Sequence, residues 1–216
     1  MRNGSLIIFL CFTQFAFHLN AQTITQIDQL QTVSQIVIEL GIGMDVENDV
    51  DVYRVEYTTT NVENAPDTAS GLLLLPVGEG PFPQAIYQHG TVNSRQDVPS
   101  NLAGGWELGL AISSFGFVTV VPDFQGLGIS PGTHTYVHAE SEALAAIDLL
   151  IAVQDFLTET EVPINDQLFV TGYSQGGHAA MAAHIVLERD FADQFTVTAS
   201  SPMSGPYSIS GDMPRP

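Results

Sequence analysis

Gly172-Tyr173-Ser174-Gln175-Gly176 follows the apolar run Gln167-Leu168-Phe169-Val170-Thr171 and opens a helical stretch beginning at Gly177. A serine between glycines at the junction of a strand and a helix reads as a sharp turn. Such a turn forces the serine into strained backbone angles and holds Oγ out above the sheet edge. The glycines answer a steric demand, because a Cβ on either would collide with the neighbouring strand or helix. The helix N-terminus behind the serine adds free N–H groups and a positive dipole end, useful where an oxyanion forms. The same five letters also occur as an ordinary Gly/Ser turn. The strand before them and the helix after them give them chemical meaning here.

Around this turn, strands and helices succeed one another. Val52, Arg54 and Glu56 alternate with Tyr53, Val55 and Tyr57 over Asp51–Thr60, a strand pattern, and Ala69–Pro76 reads as a second, more buried strand. Asn61–Asp67 supplies hairpin chemistry between them. Pro83–Gln88 is a third strand, followed by a helical segment over Leu102–Ser114. Phe117–Asp123 is a continuous apolar strand of the kind buried on both faces. Ala139–Thr158 is the clearest helix, with Leu144, Ile147, Leu150, Ile151 and Phe156 near helical spacing and Glu140 and Glu142 serving its first turn. A helix over Gln175–Asp190 and a strand over Phe195–Ser200 follow the serine turn. Antiparallel strands followed by strand–helix–strand–helix–strand predict an α/β fold, a mostly parallel sheet with helices on both faces. Residues 22–48 alternate irregularly and read as a helix or a wrapping arm, set apart from the domain at 49–216.

The composition narrows the function. Residues 1–21 read as a secretory signal peptide: Arg2, an apolar stretch from Leu6 to Phe17, and cleavage after Ala21, although Leu19 is larger than the preferred small residue. The stretch falls short of the ~20 residues of a membrane span, so no stable membrane anchor is expected and the protein is placed outside the cell or in a periplasm. Cys11, the single cysteine, lies within this leader, leaving a mature chain without thiol or disulfide. Against 24 acidic residues stand 5 basic ones, all arginine, for a formal charge of −19. That balance excludes a nucleic-acid partner, which needs Lys and Arg for phosphate, and disfavours anionic membranes. The charge serves solubility, with adaptation to saline or calcium-containing surroundings as the alternative.

Acyl transfer at a serine requires a nucleophile, a base, a group orienting the base, and N–H donors for the oxyanion. Ser174 supplies the nucleophile and the backbone N–H of Gln175 one donor. The second donor is expected from His89-Gly90-Thr91 after the third strand, where Gly90 lets the backbone approach and leaves the N–H of Thr91 or its neighbour aimed at the oxyanion. His89, Tyr173, His134 and His138 are candidate pocket walls. No cofactor and no metal are implied. His134, His138 and Glu140 match no standard zinc spacing, and His138 as a substitute base is a lesser alternative. Asp123 reads as a turn residue capping Gly126 and Gly128.

Tyr87-Gln88-His89-Gly90-Thr91, Pro122-Asp123-Phe124-Gln125-Gly126-Leu127-Gly128 and Gly172-Tyr173-Ser174-Gln175-Gly176-Gly177 occur in the order seen in α/β-hydrolases. From about residue 50 onward the chain resembles a secreted bacterial member of the lipase/esterase and prolyl-oligopeptidase-like branch. The resemblance implies the α/β-hydrolase fold, with Ser174 as nucleophile and a small-molecule ester or lipid as substrate. A serine peptidase of the same superfamily and a non-catalytic binding module are the alternatives. It also implies a triad order of Ser, then Asp or Glu, then His. After Ser174 only His178 and His184 remain, both on the following helix, and of Glu188, Asp190, Asp193 and Asp212 none sits where an orienting acid is expected. The triad acid and histidine are therefore expected beyond this chain, as a fragment whose later strands are missing.

Overall fold

The structure is a computed structural model that describes residues 22–208; residues 1–21, on which the expected signal peptide and Cys11 fall, and Asp212 lie outside them. Seven strands form one sheet: β1 (Ile24–Val33), β2 (Val50–Thr60), β3 (Pro66–Pro76), β4 (Phe82–Gln88), β5 (Val118–Pro122), β6 (Ile164–Tyr173) and β7 (Val197–Met203). Four helices accompany them: α1 (Gln35–Ile42), α2 (Glu107–Ser114), α3 (Ala139–Glu159) and α4 (Gln175–Asp190). The strand order is β1-β2-β3-β5-β4-β6-β7. β1, β2, β3 and β5 pair antiparallel, whereas β5, β4, β6 and β7 run parallel.

Leu72, Leu73, Leu74 and Leu75 show why the central strands read as unbroken apolar runs. Leu73 and Leu75 join the core beneath α3 and α4, while Leu72 and Leu74 join the core on the α2 face. Successive side chains point to opposite faces, so a strand covered on both sides needs apolar residues at every position. Tyr57 extends the α3 side of the core; its buried hydroxyl donates to the Ala145 carbonyl at 2.6 Å.

Two segments depart from the sequence expectation. Residues 22–48, expected to be a helix or a wrapping arm, hold a helix only in α1; before it, β1 pairs along β2 as an edge strand of the sheet. Register shifts between Ile24 and Gln26 and between Gln29 and Gln31 interrupt the two-residue period, which hid the strand from pattern reading. The helix expected over Leu102–Ser114 begins only at Glu107, after a 3-10 turn at Pro99–Asn101. Leu102 at φ 54° and Gly105 at φ 74° are incompatible with a helix through that stretch.

The topology already picks out one place. From β4 the chain crosses to β5 on one side and then returns to β6 on the other. The crevice outside the carboxyl ends of β4 and β6 is thus the switch point of the sheet, where open α/β sheets bind ligands.

Candidate active site

Ser174 lies at that switch point, directly after β6, as N-cap of α4 with φ 59° and ψ −120°. Left-handed φ is costly for a residue with a Cβ, of order 1–3 kcal/mol, and persists only where surrounding structure enforces it. Here the enforcement is visible: the Ser174 N–H donates to the Met203 carbonyl at the end of β7 (3.0 Å). A Cβ on Gly172 would collide with the Gly176 carbonyl, and one on Gly176 with the Gln88 carbonyl. Strand and helix meet here more tightly than any side chain permits. Ser174 itself is half-buried.

Gly90 comes from the loop after β4. A Cβ built on it would stand 3.9 Å from Ser174 Cβ and 3.4 Å from the Tyr173 carbonyl oxygen, so this loop abuts the serine. Thr91 follows, exposed, with its hydroxyl 3.1 Å from the Tyr136 hydroxyl. On the other side, the N–H of Gln175 is a first-turn amide that α4 cannot satisfy internally. Tyr173 is 53% exposed beside the serine.

The described histidines are all engaged elsewhere. His89 is no pocket wall: it is wholly buried, stacked against Phe124 at 4.4 Å between ring centres, with Nδ1 donating to the Gly90 carbonyl at 2.7 Å. Burial pushes its basicity down, which favours the neutral ring. His134 is half-buried, with Nδ1 2.9 Å from the Gln125 carbonyl and Nε2 2.9 Å from Gln175 Nε2. His138 is the N-cap of α3 and accepts at Nδ1 from the Ser141 N–H (3.3 Å), a role that conflicts with service as a base. His178 meets Glu142 at 2.7 Å, and His184 meets Ser200 at 2.8 Å and Glu188 at 3.2 Å. Glu140 is ion-paired with Arg189 at 2.9 Å. Among the described residues no three metal-ligating side chains converge.

Asp123 does not cap Gly126 and Gly128. It is fully buried and accepts from the Ser70 hydroxyl (2.5 Å) and the Ser100 N–H (2.9 Å), tying β3 to the turn at Pro99–Asn101. Desolvation raises its pKa, and those two hydrogen bonds oppose the rise. The residue that sequence reading passed over is Glu142. Expected with Glu140 to serve the start of α3, it is also 99% buried and accepts three hydrogen bonds beneath the serine turn. The available signal was its neighbourhood: Ala143–Val153 is apolar around the whole helix apart from Asp148.

No protein-family model matches the chain, and no curated protein matches its sequence. Solved structures do. The rice cell-wall-degrading esterase LipA of Xanthomonas oryzae is 34% identical over 87% of this chain and 51% of its own, at TM-score 0.79. A provisionally named hydrolase of Legionella pneumophila is 31% identical over 85% and 52%, at TM-score 0.78. Candida antarctica lipase A shares the fold alone, 15% identical over 82% and 41% at TM-score 0.56. The chain thus spans about half the length of the structures it matches. With its strand order, its serine turn at the switch point and these likenesses, the chain belongs to the α/β-hydrolase superfamily.

Proposed function

We propose that this chain carries the nucleophile half of a secreted serine hydrolase that cleaves carboxylic esters. The observation that carries the reading is Ser174 itself, held at φ 59° between β6 and α4 at the switch point, with Gly90 against it. A residue with a Cβ is kept in that conformation by close backbone packing on three sides, and a binding surface has no need of it. The likeness to an esterase at 34% identity supports the same chemistry.

In this reading the ester carbonyl oxygen sits between the N–H groups of Gln175 and Thr91. Ser174 Oγ attacks the carbonyl carbon while its proton passes to a histidine, and charge develops on the oxygen where the two donors stand. The tetrahedral intermediate collapses, the alcohol leaves with the proton, and water repeats the sequence to free the acid from Ser174. His134, His138, His178 and His184 all have other partners, so the base and its orienting acid are assigned outside the described residues. The substrate is a small-molecule ester or lipid, and export follows from the apolar stretch at Leu6–Phe17.

The test is hydrolysis of p-nitrophenyl esters by the full-length gene product and its Ser174→Ala variant. Loss of the nucleophile should lower kcat by at least about 10⁴-fold with the fold intact. A full-length protein that folds but turns over no ester, or a Ser174→Ala variant as fast as wild type, overturns the reading in favour of binding.

A further inference from the structure

Glu142 lies in the first turn of α3, where Glu140, two residues earlier, stays in solvent. Its carboxylate points inward, with a relative exposure of 1%. Burying such a charge is strongly unfavourable unless donors surround it. Three do: Val137 N–H reaches Oε1 at 3.0 Å, Gln175 Nε2 reaches Oε1 at 2.8 Å, and His178 Nδ1 reaches Oε2 at 2.7 Å. Two of the three belong to the first turn of α4, one and four residues after Ser174.

The partners fix one another's hydrogens. His134 faces the Gln125 carbonyl through Nδ1, so that nitrogen bears the proton and Nε2 accepts from the Gln175 amide. The two N–H bonds of that amide are thereby used on His134 and Glu142. Reversing it would point its oxygen at a carboxylate and a lone pair together. The loop at 134–137, α3 and the start of α4 are joined through a single carboxylate.

We infer that Glu142 is a positioning residue for the oxyanion site. By gripping the side chains of Gln175 and His178 it fixes the first turn of α4, and with it the direction of the Gln175 backbone N–H. The amides of a first turn have no intrahelical acceptors and fray readily. A donor that must point at a transient oxyanion needs a restraint from outside the helix, because hydrogen bonds weaken steeply with misalignment. The inference rests on the serine-hydrolase reading and deepens it.

The experiment is steady-state hydrolysis of p-nitrophenyl butyrate by the full-length protein and four variants: Glu142→Ala, Glu142→Gln, Gln175→Ala and Glu142→Ala/Gln175→Ala. Losing a whole oxyanion donor costs ~10²–10³ in kcat; misdirecting one through Glu142→Ala should cost about 10-fold with KM unchanged. Glu142→Gln retains an oxygen for Val137 and Gln175 and should recover most of that loss. If Glu142 acts through the Gln175 side chain, the double variant is no slower than the slower single one. Should Glu142→Ala fail to fold, Glu142→Asp, one methylene short of both helix partners, takes its place with the same expectation. Lowered thermal stability with unchanged kcat, or losses that simply add in the double variant, overturns the inference. Inactive wild type overturns the serine-hydrolase reading and the inference with it. Active wild type with unaffected variants overturns the inference alone.

Discussion

Asp148 shows what a single buried carboxylate does to this molecule. It sits in α3, fully enclosed, where Thr59 donates to Oδ2 at 2.6 Å and Oδ1 has no partner among the described residues. Desolvation raises its pKa from 3.8 to about 7, with Thr59 pulling the other way. Because the folded value lies above the unfolded one, its contribution is fully present below about pH 4 and is lost as pH rises through 7. The loss is of order 4 kcal/mol at most, since each tenfold change in proton affinity is worth about 1.4 kcal/mol. Urea midpoints at pH 5 and pH 9 should therefore show the wild type weaker at the higher pH. Asp148→Asn should flatten that difference, and an unchanged slope would show that Asp148 ionises freely in the fold. Glu142, also buried in α3, stands in contrast: three donors surround its carboxylate, whereas Asp148 has one.

Between β6 and α4 the decisive quantity is the distance between backbones. Gly176 lies so close to β4 that a Cβ would overlap the Gln88 carbonyl oxygen and come within 2.6 Å of its carbon. Both are main-chain atoms of a central strand and cannot step aside. Gly176→Ala should therefore cost about 3 kcal/mol or more, read as a drop in denaturation midpoint, because overpacking of this kind has no soft neighbour to absorb it. A near-neutral effect would mean that α4 can slide away from β4. The same closeness explains why the serine turn was legible in sequence. Gly172, Gly176 and the apolar strand before them are local requirements, met within a few residues of Ser174. The start of α2 was less legible, because the interrupting conformations at Leu102 and Gly105 belong to a loop shaped around His89.

At the scale of the whole molecule, charge and coverage matter most. A formal charge of −19 with only 5 arginines leaves most acidic side chains without a basic partner. Arg189 takes both Glu140 and Asp190, and Arg54 pairs with Glu56. Self-repulsion of this kind weakens the compact state and is screened by salt, with a Debye length falling from ~10 Å at 0.1 M to ~3 Å at 1 M. The thermal midpoint should rise as sodium chloride is raised over that range. A flat response would mean that the acidic side chains are too dispersed to repel one another. On the α2 face, Ile112, Phe115, Phe117 and Phe169 line an apolar cleft of about 420 Å³ that the described helices leave uncovered.

The sequence by itself determined the α/β class, the paired antiparallel strands, both long helices and the placing of Ser174 on a strand–helix turn. These follow from periodicity and from steric demands that act over a few residues. Tertiary structure alone decided that residues 24–33 join the sheet, that His89 lies behind its loop, and that Glu142 turns inward while Glu140 does not. The reason is common to all three. A polar side chain or a bulged strand is settled by partners brought from distant stretches of chain, such as Gln175 and His178 for Glu142, and the local pattern holds no record of them.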